Sequence, residues 1–304
     1  NFEEGLIMVM QSISITNGYD ALAESGNIVL PNGNMGAYDY FIMDYQQNVR
    51  MILTEESHSA SNICTMETSR ASAEDPVFGQ TGAGNEVEIT RTAKPAAWQN
   101  SSVGNSVSKL GNAALHNIGP NTLQKVMACD QVSTAVQYFY PSSGSGYNPN
   151  FLANILASLS QAIGGGAATT GIVKGNAANI STQLNGNPAF LNAIQPTTAG
   201  STPLAYLTIL FFDERFNFIN AVDGGVAQQQ VASPVGSSGA TLALGNIRAP
   251  KNGYVYVYVS NQSDQDVYFD NFQVGIVAGN IIEENHYYAY GLKITAISSR
   301  KMGD

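Results

Sequence analysis

Basic charge is scarce in this chain: 13 lysines and arginines stand against 23 aspartates and glutamates, a formal net charge of −10 over 304 residues. Phosphate binding draws on clustered cations, and the few present are scattered, so the composition excludes nucleic acid and disfavours an anionic membrane surface. Cysteine is rarer still. Cys64 and Cys129 are too few for a disulfide framework or a thiolate metal site, and neither belongs to a Cys-x-x-Cys pair. They can pair with each other or remain buried, inert thiols, and the second is the expectation. Long apolar runs are missing too. The longest, 203 to 212, falls far short of the ~20 residues of a membrane helix, so membrane insertion is not expected. Charged residues of both signs make up only 12% of the chain, which speaks against a charged helical bundle.

What fills the chain instead is Gly, Asn, Ser and Thr, interleaved with alternating Val, Tyr and Phe. Period-two patterning with β-branched and aromatic residues is the signature of strands. It is clearest over 253 to 259, where Val255, Val257 and Val259 take one face and Tyr254, Tyr256 and Tyr258 the other. A polar turn at 261 to 264 and a second strand at 266 to 274 complete a hairpin. Further strands are expected over 40 to 54, 86 to 91, 123 to 128, 132 to 140, 205 to 212, 226 to 231 and 287 to 298. Irregular turns between them suit a Greek-key sandwich better than a βαβ winding. Two helices interrupt the pattern. Asn148 caps and Pro149 starts a run whose stripe is Phe151, Leu152, Ile155, Leu156, Leu159 and Ile163, and Asn187-Pro188 opens a shorter copy ending before Pro196. Between them 167 to 186 reads as a long loop. Asn1 is not an initiator and 301 to 304 bring no terminating element, so the chain reads as a piece of a longer polypeptide.

Residues 40 to 54, Tyr-Phe-Ile-Met-Asp-Tyr-Gln-Gln-Asn-Val-Arg-Met-Ile-Leu-Thr, resemble the core motif of Rhs/YD-repeat proteins of the Bacteroidota type. Asp44, Asn48, Val49 and Arg50 match it, while Gln47 stands where that family usually has a turn glycine. Near the other end Tyr287, Tyr288, Gly291 and Leu292 match the family's Tyr-Tyr-Pro-Phe-Gly-Leu strand, with Ala289 and Tyr290 in place of Pro and Phe. In that family the two motifs are neighbours in sequence and form adjacent strands of a β-shell. Their separation here implies shell strands at 1–56 and 283–304, with a β-sandwich inserted over 57–282 that carries a helical insertion at about 148–196. The expected fold is therefore all-β, a jelly-roll-like sandwich looped out of a shell hairpin. The resemblance implies a non-catalytic structural or binding module of a large secreted or cell-surface protein, in a family that encloses or presents a toxin or effector. Its partners would be the remainder of its own polypeptide, with glycan or secretion machinery as further ones.

A looser resemblance joins Glu67 and the 267 to 274 strand to galactose-binding-like jelly rolls, in which an early Glu and a late Asp hold one structural calcium. That implies Glu67 and Asp270 as metal ligands, with Asp130 or Asp75 as outside candidates. Calcium takes six to eight hard oxygens from carboxylates and carbonyls. Against this, Asp270 can cap a turn or pair with Arg248 or Arg215.

Trp98, Tyr254, Tyr256 and Tyr258 are the candidate ligand-binding residues, because flat rings stack on the apolar side of a pyranose. The tyrosine stripe can also pack under a covering loop, and a strand apolar on both faces is usually buried on both. Catalytic patterns are lacking: His58, His116 and His286 are isolated, no Gly-x-Ser-x-Gly elbow occurs, and phosphate-cradling glycine motifs are missing. The acidic neighbours Glu55-Glu56, Asp213-Glu214 and Glu283-Glu284 invite a glycoside-hydrolase reading, but adjacent strand residues point to opposite faces. A carbohydrate-binding adhesin module and a glycoside hydrolase are the alternatives to the structural role.

Overall fold

The structure is a computed structural model that describes residues 8–14, 28–29, 35–55, 58–79, 89–111, 117–141, 156, 182, 184–194, 202–232, 236–263 and 265–301, the first three runs by backbone alone as far as residue 38. Strands β1 (Met8–Ser14), β2 (Ile28–Val29), β3 (Met35–Met43) and β4 (Val49–Thr54) come first. Then follow β5 (Ser59–Cys64), α1 (Ala71–Phe78), β6 (Arg91–Ala93), β7 (Ser106–Leu110), β8 (Ile118–Val126), β9 (Gln131–Phe139) and α2 (Pro188–Ile194). The remaining strands are β10 (Ala205–Asp213), β11 (Val226–Gln230), β12 (Ala240–Arg248), β13 (Gly253–Asn261), β14 (Val267–Val277), β15 (Ile281–Glu284) and β16 (Ser299–Arg300).

All-β architecture with a small helical element is what the alternation predicted, and the strands form three sheets. The order β11-β10-β13-β8 makes one layer of a sandwich; β12-β9-β14-β7-β6, with β5 added on β14, makes the other. Between them Val255, Val257 and Val259 of β13 and Leu207, Ile209 and Phe211 of β10 meet Val132, Val136, Phe269 and Val274. The opposite face of the first layer is also covered. Tyr254, Tyr256 and Tyr258 pack with Leu210, Phe212 and Leu123 beneath Leu156, Leu184, Phe190 and Ile194. All nine residues of β13 are consequently buried.

Helix α2 starts as its sequence specifies. The Asn187 side chain accepts hydrogen bonds from the amides of Ala189 and Phe190 at 3.0 and 3.3 Å, and Pro188 fills the first turn, where no amide donor is needed. Helix α1 was not anticipated, because it carries no apolar stripe. It is tied down by charge, with Glu74 and Asp75 both on Arg91 at 3.3 and 2.6 Å. The expected helix over 149 to 163 lies outside the described residues apart from Leu156, as do 86 to 88 of the strand expected there.

The third sheet runs β1-β3-β4-β15-β16, with β2 on β3. Strand β4 pairs antiparallel with β15, Leu53 opposite Ile281 and Met51 opposite Glu284, and the Asn285 amide donates to the Arg50 carbonyl at 2.7 Å. Tyr287 donates its hydroxyl to the Val49 carbonyl at 3.0 Å across 238 positions of chain, and the Arg50 guanidinium lies over the Tyr287 ring. The stretch 287 to 298 is not the strand expected from its aromatics. Gly291, at φ +81°, and a Tyr288 amide to Leu292 carbonyl bond fold it into a tight turn. Asp44 organises the facing turn: its carboxylate accepts the amides of Gln46 and Asn48 and the Arg50 Nε at 2.9–3.0 Å.

Two substitutions test these packing arguments. Gln47 sits at φ +63°, a conformation costing a side-chain-bearing residue about 1 kcal/mol. Gln47→Gly should raise the free energy of unfolding by up to that amount in urea titration; an unchanged or lowered midpoint would refute the turn geometry. Phe190→Ala, which removes a fully buried ring from the cover of the tyrosine stripe, should cost about 3–5 kcal/mol.

Candidate functional site

A sandwich has two outer faces, and in this one only the first is roofed by the helical segment. Among the described residues the other has no helical cover. Along β9 the residues Val132, Thr134, Val136 and Tyr138 turn inward, leaving Ser133, Ala135 and Gln137 outward. Ser133 and Ala135, with Ala243 and Gly245 of β12 and Gln273 and Gly275 of β14, line a trough of about 270 Å³ with no charged residue in its wall. Its shape follows from the absence of side chains on the two glycines and from a bulge in β12 between Leu244 and Ile247. Asn246 takes φ +56° there, and its amide donates to Ser133 Oγ at 3.0 Å.

The amides around the trough are oriented by their neighbours. Gln273 Nε2 donates to Ser61 Oγ at 3.2 Å, Gln137 Nε2 to Ser102 Oγ at 3.1 Å and Asn271 Nδ2 to the Ser102 carbonyl at 3.0 Å. Such a surface presents donors and acceptors without charge. It suits a neutral, hydroxyl-rich ligand.

The aromatic residues expected to bind ligand are elsewhere. Tyr254, Tyr256 and Tyr258 lie under α2, where burial removes each ring from solvent, and burial pushes the Tyr258 phenol well above the ordinary tyrosine range. Trp98 is buried as well: its ring stacks on Phe139 at 5.6 Å and its Nε1 donates to the Ser238 carbonyl at 3.1 Å. None of the four forms an open platform. The reason is physical: a strand with large apolar residues on both faces gains more from a second covering layer than from exposing either.

Glu67 and Asp270, by contrast, are brought to one loop. Glu67 Oε1 accepts the amides of Asn105 and Ser106 at 2.7 and 3.2 Å, and Asp270 Oδ2 accepts the amide of Gly104 at 3.1 Å. The closeness is such that a Cβ on Gly104 would lie 1.9 Å from Glu67 Oε1. Burial pushes the Asp270 carboxyl up to about 6, and the carboxylates of Glu67 and Glu74 act in the same direction. Its Oδ1 is buried and makes no hydrogen bond. Met66 and Asn271, next to the two carboxylates, both hold positive φ. An orphaned carboxylate oxygen beside a second carboxylate is a donor set of the kind a hard cation takes. Asp75 and Asp130 are not part of it: the first binds Arg91, and the second accepts the amides of Met127 and Gly279 at 2.8 and 2.7 Å. Among the described residues no three His, Cys, Asp or Glu side chains converge, so a cation here would need backbone carbonyls.

No protein-family model matches this sequence, and no curated protein matches it either. Two solved structures show a weak likeness. One contains the CBM22-1 and GH10 modules of Clostridium thermocellum endo-1,4-β-D-xylanase 10B complexed with xylohexaose, at 6% identity and a TM-score of 0.27 over 71% of this chain and 30% of that one. The other belongs to carbohydrate-binding modules of the β-sandwich superfamily, at 8% identity and a TM-score of 0.26 over 89% and 86%. The chain thus spans under a third of the first structure. At this level the likenesses carry no weight, and the sandwich rests on its own strand pairing.

The acidic neighbours separate in space. Asp213 turns back to accept the amides of Arg215 and Asn217 at 2.8 and 2.9 Å, while Glu214 is buried against Lys125 at 2.9 Å and Ser299. Glu283 binds Lys293 at 2.7 Å, whereas Glu284 accepts from Asn252 and faces His286. Glu55 accepts the Tyr40 hydroxyl, and Glu56 lies outside the described residues, as does His116. Both cysteines are free, as expected; Cys64 is buried with its thiol pushed up by burial, and only Cys129 departs from the expectation, being exposed in the β8–β9 turn. No described helix is long and apolar enough to cross a membrane.

Trp98, the single tryptophan, reports directly on this arrangement. Its fluorescence should be poorly quenched by acrylamide in the native protein and strongly quenched in urea. Gly239→Ala should destabilise the fold by more than 1 kcal/mol and open the ring to quencher, since Gly239 has φ +69° and a Cβ there would lie 2.5 Å from the Tyr138 carbonyl and 2.7 Å from Trp98 Nε1. Strong quenching of the unmodified native protein would contradict the buried placement.

Proposed function

We propose that this chain is a non-catalytic carbohydrate-binding module within a larger extracellular or cell-surface polypeptide of the Rhs type. The observation that carries the binding reading is the uncharged trough on the outer face of the second layer, with Gln273 in its wall. Neutral glycans offer hydroxyls in both donor and acceptor roles, and Gln137, Asn271 and Gln273 can meet both without the desolvation cost of a charge. Support for the Rhs setting comes from the junction of the two motif stretches, where Asp44 and Arg50 meet Tyr287 beside the β4–β15 pairing. The partners in this reading are glycan on the sandwich and the rest of the same polypeptide on the third sheet.

We also propose that Glu67 and Asp270 hold a structural calcium ion that neutralises two adjacent carboxylates and fixes the loop at 104 to 106. The trough and the ion act at one layer of the sandwich, since Asp270 and Gln273 share β14.

Glycan-array screening of the intact chain should give signals on neutral polysaccharides that are independent of salt. Gly275→Trp, which fills the trough, should weaken the best of them at least tenfold with an unaltered melting temperature. Equal binding by both proteins would remove the trough from consideration. Millimolar calcium should raise the melting temperature by several degrees, because saturation at 100 times the dissociation constant adds about 2.7 kcal/mol. Asp270→Asn should abolish that response, and a calcium-insensitive melt of the unmodified protein would dispose of the ion.

A further inference from the structure

The rings that were expected to meet solvent are buried, and others are exposed in their stead. Tyr45 is 76% exposed, Tyr288 57%, Tyr290 100% and Leu292 70%. All four belong to the two facing turns at one end of the third sheet. The turns touch: a Cβ on Gly291 would lie 3.6 Å from Asn48 Oδ1, and Asn48 shares the Asp44 turn with Tyr45. Exposed aromatics gathered on two touching turns are the kind of surface that marks an interaction site.

These rings are carried on a rigid mount. Tyr287 pairs with Lys293 across the base of the turn, and Tyr288 and Leu292 close it with a 2.9 Å amide to carbonyl bond. On the other side the Asp44 carboxylate holds Gln46, Asn48 and Arg50. Little conformational entropy remains to be lost on binding, since a tyrosine has two side-chain torsions and its backbone is already fixed.

The surroundings decide the class of ligand. The cations carried by the two turns themselves are paired within the fold, Arg50 with Asp44 at 2.9 Å and Lys293 with Glu283 at 2.7 Å. What remains free to bind is rings and amides, with Gln46 Nε2 donating to the Tyr45 hydroxyl at 3.1 Å. The residues of the two turns offer no unpaired charge to an acidic or basic partner. A neutral sugar ring finds both an apolar platform and polar groups at its edge.

We infer that Tyr45, Tyr288 and Tyr290 form an aromatic platform for a neutral polysaccharide, a second contact placed on the third sheet rather than on the sandwich. The inference rests on the carbohydrate-binding reading above.

Native affinity electrophoresis of the intact chain through gels containing xylan, barley β-glucan or galactomannan separates the possibilities. The Tyr45→Ala/Tyr288→Ala/Tyr290→Ala variant should lose at least tenfold in apparent affinity for whichever polysaccharide retards the unmodified protein, with an unchanged melt because all three side chains are exposed. Tyr290→Trp should keep or strengthen retardation. If Gly275→Trp abolishes retardation while the triple variant runs like the unmodified chain, the platform is wrong and the carbohydrate reading survives. If the unmodified chain is retarded by none of the three polysaccharides, both fail. If the triple substitution instead converts a dimer to a monomer in sedimentation without altering retardation, the tyrosines are a protein interface and the platform is overturned.

Discussion

Strand β13 is buried on both faces, and most of the architecture follows from that constraint. Its valines need a partner sheet and its tyrosines need a roof, so a sandwich alone cannot satisfy it. Each ring removes roughly 150–250 Å² from water, worth several kcal/mol at about 25 cal/mol per Å², and the helical segment is the element that supplies the matching surface. Among the described residues the opposite sheet has no helical cover: a loop carrying Trp98 covers one end of its outer face and the rest stays exposed. That difference makes the sandwich directional, and the trough lies on the less covered side.

A second constraint is that β4 and β15 are hydrogen-bonded neighbours although their residues are remote in sequence. The chain leaves a sheet, builds the sandwich and returns to the adjacent position in the same sheet. Such a detour is tolerated only when the ends of the looped-out part lie close together. Here Thr54 accepts this by donating its amide to the Asn280 carbonyl, and Ala278 bonds His58 just beyond. Lys125, Glu214 and Ser299 then link the sandwich to the last strand of that sheet, so the two parts are held by buried charge as well as by covalent continuity. Removing one member of such a pair leaves an uncompensated buried charge.

Much of this was legible in the residues. Alternating Val and Tyr identified β13 but not its partner, since β14 joins the other layer of the sandwich instead of closing a hairpin with it; the Asn-Pro opening located α2. The tyrosine face could be read as apolar but not assigned to a roof or to solvent, since period-two patterning reports sidedness and not what lies opposite. The Asp44 turn was legible down to Gln47, which holds a left-handed backbone conformation. Helix α1 was hidden because Arg91, distant in sequence, supplies the charge that holds it. Glu67 and Asp270 were paired through resemblance rather than spacing; nothing local announces that the loop at 104 to 106 donates amides to both. Tyr288 and Tyr290 were misread as strand, since aromatics favour strands statistically while Gly291 and the Leu292 carbonyl decide the turn.

Binding surfaces are the hardest feature to read from sequence because they are made of what the core does not want. Ser133, Ala135, Gly245 and Gly275 have the composition of ordinary polar surface, and only their convergence across three strands turns them into a trough. Aromatic residues mislead in the other direction: of the conspicuous rings in this chain, those in the strongest pattern are core, because a strict period is itself evidence of two packed faces. Rings at irregular spacing in turns escape that demand. Tyr45 and Tyr290 stay in solvent, and Asp44 and Gly291, which shape the turns beneath, hold them there.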